Sequence, residues 1–134
     1  MTTFYLDTSV AVHALFGTAT AQSWFDSVTA DEKSQLVSSR ILRTELIRVL
    51  RREGRDLAER DLILVHVSGV RLTEAILTSA EATTAHLRTL DSIHLASALT
   101  AGAQTVVATH DRGLKAACGS AGLAWIDPVD GSSG

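Results

Sequence analysis

Cysteine is almost absent from this chain of 134 residues. The one thiol, Cys118, has no partner for an internal disulfide, and a reducing compartment fits. An excess of positive charge is absent too. The net charge is −3, so nothing global marks a nucleic-acid binder. No apolar run reaches membrane-spanning length, and no membrane association is expected. The first residues lack the basic start of a secretory signal, and Asp7 interrupts their apolar stretch, so the expected location is cytoplasmic. Internal repeats are missing. Apolar residues are plentiful at 46%, which excludes intrinsic disorder and allows a sizeable core. One domain over residues 1–130 is expected, followed by a tail at 131–134 that is flexible by composition.

The most informative stretch is Leu90 to Leu114. Leu90, Ile93, Leu95, Ala96, Ala98, Leu99 and Ala101 leave a helix there with almost no polar face, so it should be buried. Gly102 fits its end, because glycine adopts left-handed backbone angles cheaply. Thr105 to Ala108 is a short, largely β-branched run, as expected of a strand covered on both faces. Asp91 opens the helix and Asp111 follows the strand. Each alone has an ordinary explanation. Asp111 could cap a helix from Arg112 to Cys118, and Asp91 could sit on the helix dipole behind a Thr89 cap.

The other acids change the weighing. Phe4-Tyr5-Leu6 is a short strand ending at Asp7, where Asp7 or Thr8 can cap a helix from Ser9 to Phe16. A helix over Ala19 to Val28 and a strand at Leu36-Val37 follow. The helix from Arg40 to Glu53 has its apolar stripe at Ile41, Leu42, Leu46, Val49 and Leu50, and Glu45 lies within it. Glutamate is seldom buried unpaired; the ordinary alternative is an edge position paired with Arg48 or Arg52. Arg55 to Val67 reads as another helix, Val70 to Leu72 as an edge strand, and Thr73 as the cap of a helix from Glu74 to Ala82. Leu123 to Ile126 is the last strand, and Asp127-Pro128 ends regular structure.

Alternating strands and helices predict an α/β fold, with a parallel sheet wrapped by helices on both faces. Sites in such sheets lie beyond the carboxyl ends of the strands, where strand order reverses. If the strands before Asp7 and Asp111 are central neighbours, both acids face one crevice, and Glu45 and Asp91 can reach it. Four bare carboxylates there would raise one another's pKa, and a divalent cation resolves the conflict. Oxygen donors without cysteine or clustered histidine point to Mg²⁺ or Mn²⁺, not zinc. Such ions suit in-line displacement at a phosphodiester. The structural alternative is four unrelated caps and surface acids.

The segments D-T-S-V-A at Asp7, R-T-E-L-I-R-V-L around Glu45, L-D-S-I-H-L-A-S-A-L around Asp91 and T-H-D-R-G-L around Asp111 together resemble the PIN-domain family, most closely its VapC-type toxins. The resemblance covers nearly the whole chain. It implies a three-layer α/β/α sandwich with a central parallel sheet of strand order 3-2-1-4-5. It also implies a Mg²⁺- or Mn²⁺-dependent endoribonuclease, usually a homodimer, silenced by a VapB-type antitoxin. By the same resemblance Asp7, Glu45, Asp91 and Asp111 are the metal-site and catalytic acids, with Ser9 and Thr109 as small hydroxyl residues beside them.

Seven of the twelve Lys and Arg fall between Arg40 and Arg60, a segment that nets +3 while the remainder nets −6. Such a patch can track a phosphate backbone, with Arg48 and Arg52 the best candidates and Arg112 a weaker one. A solvated helix face explains it equally well. His94 reads as a packing residue rather than a metal ligand. The early helices around Trp24 and Phe25, and the region from Arg40 to Leu64, supply apolar residues for a dimer contact. A haloacid-dehalogenase-type phosphatase would need an aspartate where Ser9 stands, and a receiver domain would need a lysine after a late strand, where Asp127-Pro128 stands. The rival from another class is a non-catalytic PIN-like protein that binds RNA or a partner without cleaving.

Overall fold

The computed structural model describes residues 1–134. Its elements in order are β1 (Thr2–Leu6), α1 (Thr8–Leu15), α2 (Ala19–Ala30), β2 (Ser34–Ser39), α3 (Ile41–Arg52), a 3₁₀ turn (Leu57–Arg60) running into α4 (Asp61–Leu64), β3 (Val67–Val70), α5 (Glu74–Glu81), α6 (Thr89–Ala101), β4 (Val106–Ala108), α7 (Arg112–Ser120) and β5 (Ala124–Ile126). All strand pairs are parallel, and the order is β3-β2-β1-β4-β5, as the sequence implies.

Strand alternation builds the layers. Leu6, Leu36 and Ala108 point to one face of the sheet, where they meet Val10, Ala14, Phe25 and Leu46 from the helices α1, α2 and α3. Tyr5, Val37 and Val107 point to the other face and meet Leu95 and Ala98 of α6 and Leu114 and Ala117 of α7. Toward their carboxyl ends the inner strands are therefore buried on both faces, which is why these segments read as apolar runs without alternation. A third cluster, Ile41, Ile76, Ala80, Ile93 and Ala96, fastens α3 and α5 to α6. The seven consecutive residues Ser92 to Ala98 of α6 are all buried.

Three local expectations need correction. The helix expected over Arg55 to Val67 is a 3₁₀ turn and one turn of α4, and Val67 already belongs to the edge strand β3, which ends at Val70. The reason is that pairing of Val67 to Val70 with Leu36 to Ser39 of β2 replaces helical bonds, with β-branched Val67 and Val70 suited to the strand. Thr89 is the first residue of α6, and Arg88 holds the cap position without a side-chain bond. Phe25 is core and is unavailable to a partner; the large apolar side chains exposed in this part of the chain are Leu62 and Val65. At the C-terminal end, Asp127 N–H donates to Ser132 O, and Trp125 and Gly134 exchange two backbone bonds, laying residues 131–134 beside β5.

Candidate active site

The strand order reverses between β1 and β4, and both strands run out at the same edge of the sheet. Asp7 follows β1 directly, and its N–H continues the ladder to Ala108 O at 3.0 Å. Thr109 continues β4 by donating its N–H to Ile126 O at 3.0 Å. By strand parity Asp7 lies on the Tyr5 side and Thr109 on the Val107 side, the same face, under the start of α6.

Asp7 is 2% exposed and is held by hydroxyls. Its Oδ2 accepts from Ser9 Oγ at 2.6 Å and from Thr109 Oγ1 at 2.8 Å. Both hydroxyls are themselves fixed: Ser9 Oγ accepts the His110 N–H, and Thr109 Oγ1 accepts the Asp111 N–H, each at 3.0 Å. Asp7 occupies the cap position of α1 but makes no capping bond with its side chain. Its carboxylate therefore bonds the Ser9 hydroxyl of α1 and the Thr109 hydroxyl after β4, and leaves the first backbone N–H groups of the helix uncapped.

Glu45 reaches the same place from α3. Its Oε1 accepts from Thr8 Oγ1 at 2.7 Å and pairs with His94 Nε2 at 2.6 Å. The arginine partners expected from helix spacing are not used. Burial would raise the Glu45 pKa, but the hydrogen bond and charge of His94 and the Thr8 hydroxyl outweigh it and hold the carboxyl below its ordinary value. Burial would lower the His94 pKa, and here the bond to Glu45 and the charges of Asp7, Glu45 and Asp91 win, raising it.

Asp91 sits in the first turn of α6 and makes no side-chain hydrogen bond within the protein. Burial, then the charges of Asp111 and Asp7, push its carboxyl up to about 6. Asp111 does cap α7, its Oδ1 accepting the Gly113 N–H at 3.0 Å, so the ordinary reading of this residue holds for one of its oxygens.

The four acids line one cleft of about 380 Å³, which also takes in Thr8, Ser9, His13, Arg52 and Arg88. A pattern runs through them. Asp7, Glu45 and Asp111 each have one oxygen tied to the protein and the other without a hydrogen bond, that of Asp7 lying 3.7 Å from His94 Nε2, and Asp91 has both free. No three of the acids bring oxygens within 4.8 Å of one another, so they ring the cleft instead of closing on its centre. The donor set is carboxylate oxygen; both nitrogens of His94 are engaged, and Cys118 is buried with its thiol pushed up to about 12 by burial. Such a set fits a hard, oxygen-seeking cation and not zinc.

A tighter cluster, His110, Asp127 and Asp130, lies nearby. Asp127 Oδ2 is already occupied by Lys115 Nζ at 2.6 Å and His110 Nδ1 at 2.7 Å, so an ammonium fills that place. Of the arginines singled out from sequence, Arg52 lines the cleft, while Arg48 and Arg112 are exposed and outside it. Sequence reasoning missed Arg88, His13, Thr8 and, most of all, His94. The signal for His94 was present: it stands one helical turn after Asp91, on a helix with no solvent face, and a buried imidazole needs partners.

A second cavity, of about 340 Å³, lies between α5 and α6, and Glu81 is its one charged residue; it brings no acids together.

Three solved structures share the architecture. A toxin–antitoxin complex from Klebsiella pneumoniae aligns with a TM-score of 0.70 at 17% identity, covering 92% of this chain and 96% of that one. VapBC2 from Rickettsia felis, bound to a promoter DNA fragment, aligns at 0.72 and 12% identity, over 93% and 98%. VapBC-1 from nontypeable Haemophilus influenzae aligns at 0.69 and 18% identity, over 94% and 98%. No curated protein matches the chain significantly in sequence. The model of the PIN domain matches residues 4–120, nearly the whole of the fold described above, and the chain therefore belongs to the PIN-domain family.

Proposed function

We propose that this chain is a Mg²⁺- or Mn²⁺-dependent endoribonuclease, the VapC-type toxin of a toxin–antitoxin pair. The observation that carries the reading is the ring of carboxylate oxygens that accept no hydrogen bond at the switch point of the sheet, with the His94 ring, 3.7 Å from that of Asp7, as the one cationic group paired with them. Buried or half-buried carboxylates facing one another are costly unless a cation joins them. Asp7, Glu45, Asp91 and Asp111 would hold it. When bound, such an ion supplies Lewis acidity toward water and a phosphate oxygen.

The chain's own residues do the rest. Ser9 and Thr109 hold Asp7 in one orientation, and Thr8 and His94 do so for Glu45. Arg52 and Arg88 on the cleft wall provide positive charge for the flanking phosphates of an RNA strand, in a protein otherwise acidic. The toxin–antitoxin complexes among the structural neighbours support a VapB-type antitoxin as partner. The exposed Leu62 and Val65 support a homodimer contact through the α4 region. No helix is long and apolar enough to cross a membrane, and a cytoplasmic location suits an RNA substrate.

Purified protein incubated with RNA and Mg²⁺ or Mn²⁺ tests the reading. Cleavage that stops in excess chelator supports it. Undiminished cleavage in chelator sinks the metal mechanism, and binding without cleavage under every condition returns the protein to the non-catalytic class.

A further inference from the structure

We propose that His94 is a positioning residue: it fixes Glu45 so that Oε2, and not Oε1, is offered to the cleft. The inference rests on the proposal that Glu45 is a metal ligand. A chain of short contacts carries it. Ser39 N–H donates to Tyr5 Oη at 3.1 Å, Tyr5 Oη lies 2.6 Å from His94 Nδ1, and His94 Nε2 lies 2.6 Å from Glu45 Oε1. Tyr5 is fully buried and His94 is 1% exposed, so neither group exchanges these partners for water.

The direction of each bond follows from the donors available. Glu45 as a carboxylate only accepts, so Nε2 must carry the proton. In a neutral imidazole Nδ1 is then an acceptor, and the Tyr5 hydroxyl donates to it while accepting from Ser39. In an imidazolium Nδ1 donates to Tyr5 Oη instead, and Nε2 still donates to Glu45. Either way Oε1 receives two donors, from His94 and Thr8, and its directions are used. Oε2 receives none. The tether runs through the ring of Tyr5 into the second residue from the end of β1, so the orientation of Glu45 on α3 is set by the same strand that delivers Asp7. Partners that orient a ligand from behind in this way typically change metal affinity about 10- to 100-fold when removed.

The test is Mn²⁺ binding, read from the electron paramagnetic resonance signal of free Mn²⁺ during titration at pH 7.5, with folding checked by circular dichroism. Wild-type protein, His94→Gln, His94→Asn, Glu45→Gln, Tyr5→Phe and the double variant His94→Asn with Glu45→Gln are compared. A glutamine amide can stand where Nε2 stands, whereas an asparagine amide falls short of Glu45. The expected result is affinity within about 3-fold of wild type for His94→Gln and about 10- to 100-fold weaker for His94→Asn. The double variant should bind about as weakly as Glu45→Gln alone, because His94 acts through its 2.6 Å bond to Glu45, and its 3.7 Å approach to Asp7 Oδ1 is too long for a hydrogen bond. Should His94→Asn not fold, Tyr5→Phe carries the test with an expected loss of about 3-fold or more. Equal loss in His94→Gln and His94→Asn, additive loss in the double variant, or unchanged affinity in His94→Asn or Tyr5→Phe would overturn the positioning role. A wild-type protein that binds no Mn²⁺ would overturn the metal reading itself, a distinct outcome.

Discussion

Replacing Asp91 by Asn should stabilise the metal-free protein at neutral pH, although it removes a helix-terminal charge. The Asp91 carboxyl is pushed from an ordinary 3.8 up to about 6, chiefly by burial and then by Asp111 and Asp7. A carboxyl whose pKa rises on folding binds its proton more tightly in the folded state. Its proton-linked stability is therefore present below about pH 4 and lost as pH rises through about 6. Two pKa units correspond to a ceiling of about 3 kcal/mol, and solvent at this half-buried position cuts that to about 1–2 kcal/mol. Against it stands the favourable interaction of an acid with the first turn of α6, about 0.5 kcal/mol. The net expectation for Asp91→Asn at pH 7.5 is a gain of about 1 kcal/mol, or about 3–5 °C in Tm for a chain of this size. Thermal melts in chelator from pH 4 to 8 measure it. The gap between variant and wild type should close as pH falls from 7 to 4. A variant less stable than wild type at pH 7.5, with a gap that does not change with pH, would show that Asp91 is a structural first-turn acid and would refute the reasoning.

The remaining expectations follow from the same contacts. Asp7→Asn should lower RNA cleavage by at least about 100-fold with the fold intact by circular dichroism, since the amide keeps the shape but loses the charge that holds a divalent ion. Thr109→Val should cost about 1–2 kcal/mol in urea melts, because the Asp111 N–H loses its acceptor and Asp7 one of its two hydroxyl donors. Asp127 is held at about 2: burial works against this, and Lys115, His110 and the Val129 N–H outweigh it. Its depressed pKa contributes stability that is present above about pH 4 and is lost as pH falls toward 2. Asp127→Asn should remove about 1–2 kcal/mol of that acid-limb dependence in pH-dependent melts. Leu62→Glu should shift any dimer toward monomer in light scattering at micromolar concentration, leaving thermal stability of the monomer nearly unchanged, since Leu62 is 62% exposed.

The sheet order was legible because the family resemblance implied it and the doubly covered strands left apolar runs of the right length. Periodicity failed in the short connecting region between α3 and β3. There the valines at 67 and 70 competed with a helical pattern, and pairing of Val67 with Leu36 decided the outcome. Asp7, Asp91 and Asp111 were legible as acids at element ends and Glu45 as an acid within an apolar stripe, and all four line one cleft. Their partners were less so. Helix spacing offered Arg48 and Arg52 to Glu45, but the bond goes to His94, forty-nine residues away on another helix. A contact of that range leaves no periodic trace. His94 reads from the sequence as a packing residue, but a buried imidazole in an apolar helix needs polar partners. Arg88 could not be read as a cleft residue because it precedes α6 in a loop whose path is set by tertiary packing.

The central claim is that these four carboxylates share a divalent cation. An anomalous difference map from a crystal soaked in Mn²⁺ tests it most directly. A peak is expected inside the cleft, within about 2–2.5 Å of Asp7 Oδ1 and of at least one free oxygen of Glu45, Asp91 or Asp111. A peak at His110, Asp127 and Asp130 with the cleft empty, or no peak at saturating Mn²⁺, would contradict it.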